Sequence, residues 1–287
     1  MKINEITCKT ALSASRLPGL DYALNPYRGC EHNCVYCYAP SVLNEKRKWG
    51  SFVDVKRNLP NILAEELKKK CDGKRQRRFP SNVWNCLWQF QSKKGRVGIG
   101  TVTDAYQPAE KKYEITRRCL EILLKHDFPV CIQTKSSLVL RDVDIIKKFS
   151  EKEVGLTITT IDDEARKKYE PYSSSVEERL NALKILGENN IHTWVFIGPV
   201  MPFITEKNID KLIDSIAKAG VKNVIVDKLN LKTGVWERIK TFLSEYYPEL
   251  MQEYEIILFT KNDYFENVEN KIKMICKEYD IKCEKAF

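Results

Sequence analysis

The stretch NPYRGCEHNCVYCYAP, residues 25–40, decides how this chain is interpreted. It holds three cysteines within eight residues, in the spacing C-x3-C-x2-C: Cys30, Cys34 and Cys37. A structural zinc site is closed by four ligands, and His32 inside the run would make a crowded fourth. Iron–sulfur cubanes also usually take four thiolates, so a cubane held by these three would keep one iron open for chemistry. The alternative is three chance or zinc-linked thiols, against which Tyr36 and its aromatic neighbours add specificity.

The other cysteines of the chain form no second cluster. Seven of the ten are scattered along the sequence: Cys8, Cys71, Cys86, Cys119, Cys131, Cys276 and Cys283. In an intracellular protein such residues are better interpreted as free thiols than as disulfides. We therefore expect them to be ordinary buried or incidental thiols, because free cysteine packs as a small hydrophobe.

Short apolar runs alternate with helical patterns through most of the chain. The strand-like runs are DYALNPY (21–27), RVGIGTVT (96–103), FPVCIQT (128–134), VGLTIT (154–159), IHTWVFIGPV (191–200) and VKNVIVDKL (221–229). Helical segments follow them near 58–71, 110–126, 142–152, 174–190, 205–219 and 234–246. Such alternation is typical of βαβ units and a parallel sheet. Six units without a duplicated half predict an α/β fold, a partial (β/α)6-type TIM barrel.

The predicted organisation is one domain. Residues 1–20 form an N-terminal extension, and residues 21–246 form the barrel core, with a basic insert at about 67–96. Residues 247–287 form a C-terminal extension, in which EYEIILFTK and a helix over 264–279 make either a seventh unit or a lid. The cysteine run follows the first strand, so it lies at the carboxyl ends of the strands, where barrels of this kind carry their chemistry.

The composition predicts a cytoplasmic protein that does not enter membranes. Hydrophobic residues make up 43% and charged residues 30% of the 287-residue chain, which argues against global disorder. The first residues, MKINEITCKT, contain no apolar signal region. No stretch approaches the roughly 20 apolar residues that a membrane span requires.

One segment carries the whole charge imbalance of the chain, which is +9. Residues 67–96 contain ten of the 48 lysines and arginines and one of the 39 acidic residues, so the remainder is balanced. The segment also carries Phe79, Trp84, Trp88 and Phe90, and interleaved cations and aromatic rings are what a nucleic-acid surface needs. The alternative is that the segment is a solvated face whose tryptophans pack in the core. The segment also precedes the second strand, which would attach it to the side of the barrel away from the chemistry.

The cysteine spacing, with an aromatic residue before the third cysteine, resembles the signature of the radical S-adenosylmethionine (radical SAM) superfamily. The longer string TALSASRLPGLDYALNPYRGCEHNCVYCYAP is similar to the spore photoproduct lyase-like branch, also described as DNA repair photolyase-like. The similarity continues in GTVTDAYQPAEKKYEITRRCLEIL and in PVCIQTKSSLVLRDVDII, and it covers roughly residues 8–230. The cysteine motif is specific for the superfamily, whereas the branch is much less specific about substrate.

The resemblance implies a [4Fe–4S] cluster on Cys30, Cys34 and Cys37, with S-adenosyl-L-methionine (SAM) bound to the fourth iron through its amino and carboxylate groups. Reduction of the cluster would cleave SAM to a 5′-deoxyadenosyl radical, which abstracts hydrogen from the substrate. It also implies a reducing partner such as flavodoxin or ferredoxin. We expect the protein to act as a monomer.

Residues at the strand ends are the candidates for holding the cofactor. Thr101, Thr103 and Asp104 match the segment where the superfamily receives the methionine amino group, unless they form a strand end with an Asp cap. Lys135, with Ser136 beside it at the barrel mouth, is suited to pair with the methionine carboxylate, unless it is a solvated surface lysine.

The remaining cofactor candidates are Tyr36 in the cysteine motif, Thr159, Arg179 and Gly198. Thr159 is predicted to touch the ribose, unless its presence reflects strand propensity alone. Arg179 resembles the arginine that reaches SAM in relatives, and its alternative is an exposed helical pairing residue. Gly198 permits close approach at the predicted wall of the adenine pocket.

The favoured function is hydrogen abstraction from a nucleic acid lesion or nucleotide by a lyase-like enzyme. True photoproduct lyases use a further cysteine to return a hydrogen atom, and that position has no clear match here. Tyr106, on the second βα loop, is the candidate radical relay. The alternatives are radical modification of a protein, peptide or small metabolite, and a non-catalytic iron–sulfur protein that carries electrons or binds nucleic acid.

Overall fold

A parallel sheet with helices on its outer face organises the chain in this computed structural model, which describes residues 1–72 and 94–286. Most of the basic insert predicted at about 67–96, including its four aromatic residues, lies outside the described residues. In the described part of the chain, eight strands form the main sheet in the order β11-β10-β9-β8-β7-β6-β3-β2. Every neighbouring pair is parallel except β2 with β3. The partial TIM barrel predicted from the sequence is confirmed.

The strands are β1 (Lys2–Ile6), β2 (Ser13–Ala14), β3 (Tyr22–Leu24), β4 (Tyr27–Arg28), β5 (Phe52–Lys56), β6 (Val97–Ile99), β7 (Val130–Thr134), β8 (Lys152–Thr157), β9 (His192–Val200), β10 (Asn223–Lys228) and β11 (Lys282–Lys285). The α-helices are α1 (Ala39–Val42), α2 (Leu59–Asp72), α3 (Glu110–Tyr113), α4 (Ile115–Lys125), α5 (Val143–Ile146), α6 (Asp163–Tyr169), α7 (Val176–Glu188), α8 (Ile209–Lys218), α9 (Val235–Tyr246), α10 (Met251–Phe259) and α11 (Tyr264–Glu278). Short 3-10 helices cover Ser137–Asp142 and Pro248–Leu250.

The main hydrophobic core lies between this sheet and its covering helices. Alternate strand residues such as Val154, Leu156, Val195 and Ile197 are fully buried in it, as the period-two pattern requires. Helix α7 begins at a capping box, in which Ser175 accepts a hydrogen bond from the backbone N–H of Glu178, and the Glu178 carboxylate accepts one from the backbone N–H of Ser175. The αβ alternation therefore comes from burial periodicity together with local capping.

Strand β6 is shorter than the sequence predicts, since it ends at Ile99 and not near residue 103. Gly100 adopts a left-handed backbone with φ of 84°, and a Cβ there would lie 2.8 Å from the Gln133 carbonyl oxygen. The chain turns away from the sheet at this glycine. Residues 101–104 consequently form a loop at the carboxyl end of the sheet.

The first 60 residues add a second, small sheet beside the barrel. Strand β5 lies between β1, to which it is parallel, and β4, to which it is antiparallel. This sheet carries β4, which leads directly into the cysteine run. The N-terminal extension is thus tied by β1 to the segment that follows the cysteines.

The C-terminal extension differs from the predicted pattern in one respect. The run EYEIILFTK, needed as a strand for a seventh unit, lies largely in helix α10. Its buried residues, Tyr254 and Ile257, are three apart as on one face of a helix, and the Tyr254 hydroxyl donates to the Pro202 carbonyl at 2.9 Å. The seventh parallel strand is instead β11, which follows α11 and pairs with β10. Within residues 1–72 and 94–286, no helix has the length and apolar character to span a bilayer.

Candidate functional site

The cysteine run forms an irregular loop between β4 and α1, at the carboxyl ends of the barrel strands. Cys30 and Cys34 are each 7% exposed, and Cys37 is partly buried. Burial raises the pKa of all three thiols, and at Cys30 the charges of Asp104 and Cys37 add to burial, so that its pKa rises to about 12. The three thiols therefore share one shielded pocket, where binding of iron as thiolate would release their protons.

The donor set of this pocket is three cysteine thiols, the ligand type that iron–sulfur clusters take. Among the described residues, no three His, Cys, Asp or Glu side chains converge on one metal position. In a cubane each thiolate binds a different iron, so the three sulfurs need not converge on a point. The residues present fit a [4Fe–4S] cluster on Cys30, Cys34 and Cys37.

Two side chains from distant parts of the chain hold the backbone of the cysteine loop. Gln107 is fully buried; its carbonyl oxygen accepts from the backbone N–H of Glu31 at 2.9 Å, and its amide donates to the Gly29 carbonyl at 3.2 Å. Arg238, on α9, donates to the Val35 carbonyl at 3.0 Å and also to that of Cys37. The loop is thus clamped on both sides.

Asp104 links the end of β6 to the next strand and to the cysteine loop. Its carboxylate accepts hydrogen bonds from the Thr134 hydroxyl at 2.7 Å and from the backbone N–H of Lys135 at 2.8 Å. His32 lies between Cys30 and Cys34 in the sequence, and its Nδ1 atom is 3.2 Å from Asp104 Oδ2. Burial opposes ionisation, but His32 and Thr134 together hold the pKa of Asp104 well below its usual range. Asp104 is therefore a buried carboxylate that fixes two strand ends.

A buried ion pair lies behind Tyr36 of the cysteine motif. Arg179 Nη2 and Glu170 Oε2 are 2.6 Å apart, and neither side chain is exposed. The Tyr36 hydroxyl donates to the other oxygen of Glu170. Burial opposes the charge on Glu170, but Arg179 and Lys135 keep its pKa below the ordinary value. The hydroxyl of Tyr36 is thereby fixed by a carboxylate, Glu170, that is itself paired with Arg179.

Arg179 also donates to three further protein acceptors. Its Nε and Nη1 groups bind the carbonyls of Ser174 at 2.9 Å and Thr157 at 2.7 Å, and Nη2 also binds the Ser173 hydroxyl. The alternative of an exposed pairing residue is wrong, because Arg179 is fully buried. The predicted contact with SAM stays a prediction; the four bonds use four of the five N–H donors of the guanidinium.

Lys135 follows β7 and points into the same region. Its ammonium nitrogen lies 5.7 Å from the centre of the Tyr36 ring. Burial disfavours its charge, but Cys34, Glu170 and Asp104 raise its pKa, so the side chain stays cationic. The alternative of a solvated surface lysine does not fit this position, which offers a partly buried cation beside the thiols.

The other predicted cofactor residues mostly have protein partners. Thr159 bonds the Tyr169 hydroxyl at 2.9 Å, and the Ser136 hydroxyl accepts from the backbone N–H of Leu138 at 3.2 Å, capping the 3-10 helix. A Cβ on Gly198 would lie 2.4 Å from the Phe196 ring. Gly198 therefore packs against that ring, and its predicted role at the adenine pocket stays a prediction.

Thr101 and Thr103 bind the segment that precedes the cysteines. The Asn25 amide donates to Thr101 Oγ1 at 3.0 Å, and the Thr103 hydroxyl donates to the Tyr27 carbonyl at 2.9 Å. The Thr101 carbonyl accepts from the Tyr38 hydroxyl at 2.9 Å. The loop after β6 and the cysteine loop are consequently joined along their length.

Residues 24–216 match the family model of the radical SAM superfamily. The chain belongs to this superfamily. It is 35% identical over 259 residues to an uncharacterized protein of Methanocaldococcus jannaschii, covering 90% of this chain and 87% of the relative. It is 22% identical over 204 residues to a radical SAM Nalpha-GlyT isomerase of Pseudomonas phage M6, covering 70% of this chain and 38% of the phage protein.

Solved structures share the radical SAM fold seen here. Spore photoproduct lyase complexed with dinucleoside spore photoproduct aligns with a TM-score of 0.71 at 14% identity, over 99% of this chain and 82% of the lyase. A mutant of that lyase with bound AdoMet and the same dinucleoside aligns with a TM-score of 0.69 at 14% identity, over 100% of this chain and 82% of the mutant. At this identity the comparison establishes the fold.

The phenol of Tyr106 lies near two acidic residues, Asp142 and Glu110. It is fully buried, and the pKa of its phenol is raised first by burial and then by Asp142 and Glu110. Glu110 and Asp142 in turn bind Arg141 at 2.7 and 2.8 Å. The structure thus places Tyr106 in a buried charge cluster, and its role as a radical relay stays a prediction.

Sequence reasoning missed several residues that support this radical SAM site. Glu170 and Gln107 gave no signal, since each is a single polar residue whose burial depends on distant segments. Arg238 comes from a helix more than 200 positions from the loop that it clamps. From sequence alone, a buried polar residue of this kind shows only as a polar position within the apolar face of a helix. That pattern does not indicate which distant residue it will bind.

Proposed function

We propose that this protein reductively cleaves SAM at a [4Fe–4S] cluster on Cys30, Cys34 and Cys37 and abstracts hydrogen from a nucleic acid lesion or nucleotide. The observation that carries the proposal is the pocket of two buried thiols and one partly buried thiol, with a partly buried cation, Lys135, beside them. When bound, the cluster and SAM supply the 5′-deoxyadenosyl radical. The protein supplies position, charge and exclusion of water.

The chain's own residues suit the binding of a methionine moiety. The Lys135 ammonium is a donor for a carboxylate, in a region where few waters compete. The loop after β6, held by Asn25 and Asp104, offers backbone groups to an amino group. The Tyr36–Glu170–Arg179 chain keeps the floor of the pocket in one arrangement, so little reorganisation is needed on binding.

The nucleic-acid part of the proposal rests on a ring at the edge of the pocket. Tyr38 directly follows the third cysteine, its side chain is 44% exposed, and its hydroxyl is fixed by the Thr101 carbonyl. A fixed, exposed aromatic face suits the stacking of an unpaired base. The lyase of similar fold is complexed with a dinucleoside photoproduct, which supports the same substrate class for this chain.

Anaerobic reconstitution tests the proposal. The protein is loaded with iron and sulfide, reduced with dithionite and given SAM, with or without an ultraviolet-irradiated oligonucleotide. We expect 5′-deoxyadenosine to form, and to form faster with the irradiated oligonucleotide than with the same strand kept dark. No 5′-deoxyadenosine under any condition would overturn the enzyme proposal, and equal rates with both strands would overturn the substrate class.

Replacement of Lys135 by methionine is expected to weaken SAM binding. A charge-assisted hydrogen bond contributes about 1.5–3 kcal/mol, which corresponds to roughly 10- to 150-fold in the dissociation constant. Equilibrium dialysis of radiolabelled SAM against the reconstituted protein measures the change. The control is Lys148→Met, which removes an exposed lysine near the other end of the barrel. Equal affinities of the two variants would show that Lys135 makes no contact with SAM.

Neutralising the basic segment is expected to weaken oligonucleotide binding. The variant replaces four of its cations with glutamine: Lys74, Arg75, Arg77 and Arg78. Each lost phosphate contact reduces the salt dependence of log K by about one unit. Fluorescence anisotropy across a salt series measures both effects. Binding equal to that of the wild type would identify the segment as a solvated face.

A further inference from the structure

A positively charged surface lies on the outside of the cysteine loop, over residues 42–48. Lys46, Arg47 and Lys48 are exposed, and Val42 presents 56% of its surface to solvent among them. This 42–48 surface begins only five residues after Cys37. A positive patch of this kind is complementary to an acidic surface on a partner protein.

Nearby acids do not neutralise the 42–48 surface. The Glu45 side chain is 5% exposed and is bound by Arg28 and Arg47, and Asp54 is 8% exposed and is bound by Arg47. Lys46 and Lys48 form no ion pair with any residue of the described ranges. The surface therefore presents a net positive charge to solvent.

Packed rings connect this surface to the cysteines. The Arg47 guanidinium lies 3.5 Å from the centre of the Phe52 ring, and Phe52 meets Trp49 edge-on at 6.1 Å. Trp49 is 6% exposed and packs in one cluster with Cys30, Phe52 and the partly buried Cys37. A continuous run of packed side chains thus leads from the surface to two cysteines.

We propose that the 42–48 surface is the docking site of an acidic one-electron carrier protein of the flavodoxin kind. The carrier is oxidised by one electron and the cluster is reduced by one, and the packing through Trp49 keeps the two redox groups close. Opposite charge steers such encounters and raises their rate at low salt. This inference rests on the proposed function, because it needs a cluster on the three cysteines.

The test compares two reductants on the reconstituted protein. The variant Lys46→Glu/Lys48→Glu is supplied with SAM and either reduced flavodoxin at low salt or saturating dithionite, and 5′-deoxyadenosine is measured. We expect the rate with flavodoxin to fall about tenfold or more, while the rate with dithionite stays at that of the wild type. The flavodoxin-driven rate of the wild type should also fall as salt is added, and that of the variant should change little.

The matched control is Lys147→Glu/Lys148→Glu, which reverses two exposed lysines ahead of β8, at the amino ends of the strands. A flavodoxin-driven rate in the Lys46→Glu/Lys48→Glu variant equal to that of this control would overturn the docking site and leave the proposed function intact. If both variants lose flavodoxin-driven rate equally relative to the wild type, the effect comes from net charge, and the docking site is likewise overturned. Absence of 5′-deoxyadenosine from the wild type with dithionite would instead overturn the proposed function.

Discussion

Replacement of Cys34 by alanine is expected to abolish stable cluster binding and to reduce 5′-deoxyadenosine formation to the background of protein-free assays. Cys34 is the middle of the three thiols and interacts electrostatically with both Lys135 and Glu170. A cubane with two protein thiolates would leave a second iron open and would be lost to solvent and competing chelators. Iron content per chain and the visible absorbance of the reconstituted protein measure the loss without any turnover.

The matched control is Cys8→Ser, which changes a partly buried thiol outside the loop. It should retain the iron content and activity of the wild type, and Cys30→Ala and Cys37→Ala should behave as Cys34→Ala does. A Cys34→Ala protein with full iron content would overturn the assignment of this cysteine as a ligand.

Replacement of Arg179 by leucine is expected to destabilise the fold by about 3–5 kcal/mol, because it leaves a buried carboxylate without its partner. Glu170 would then lose its strongest stabilising charge, and the arrangement of Tyr36 above it would loosen. Denaturant unfolding of the cluster-free protein measures the change in the free energy of unfolding. The iron content after reconstitution reports whether the cysteine loop keeps its arrangement.

The double variant Glu170→Leu/Arg179→Leu separates loss of the pair from loss of one partner. It removes both charges, so it should recover part of the stability lost in Arg179→Leu. A single variant that unfolds with the wild-type free energy would show that this ion pair contributes nothing to the fold.

The Glu170–Arg179 ion pair is also expected to make the stability of the fold depend on pH. The pKa of Glu170 is lower in the folded protein than its ordinary value of 4.5. Its ionised form therefore stabilises the fold above that value, and this contribution is lost as the pH falls toward the folded-state pKa. In Arg179→Leu we expect a weaker decline of stability over this acidic range.

The radical SAM family and the barrel were predictable because their signals are local. The cysteine spacing lies within eight residues, and strands such as Val130–Thr134 and His192–Val200 show their burial in their own side-chain order. The capping box at Ser175 is likewise a four-residue signal. The run in α10 was ambiguous, since a short apolar segment suits a strand and a helix equally.

The sequence by itself predicted the three cysteines as iron ligands and determined the class of fold that presents them, because spacing and periodicity are properties of neighbouring residues. Only the tertiary structure decided what surrounds the three thiols. It brought Glu170, Arg179 and Lys135 beside Cys34, placed Arg238 on the loop, and buried the Tyr106 phenol near acidic side chains. These contacts depend on how distant strands and helices pack, and a buried charge acquires its role only from the partner that packing supplies.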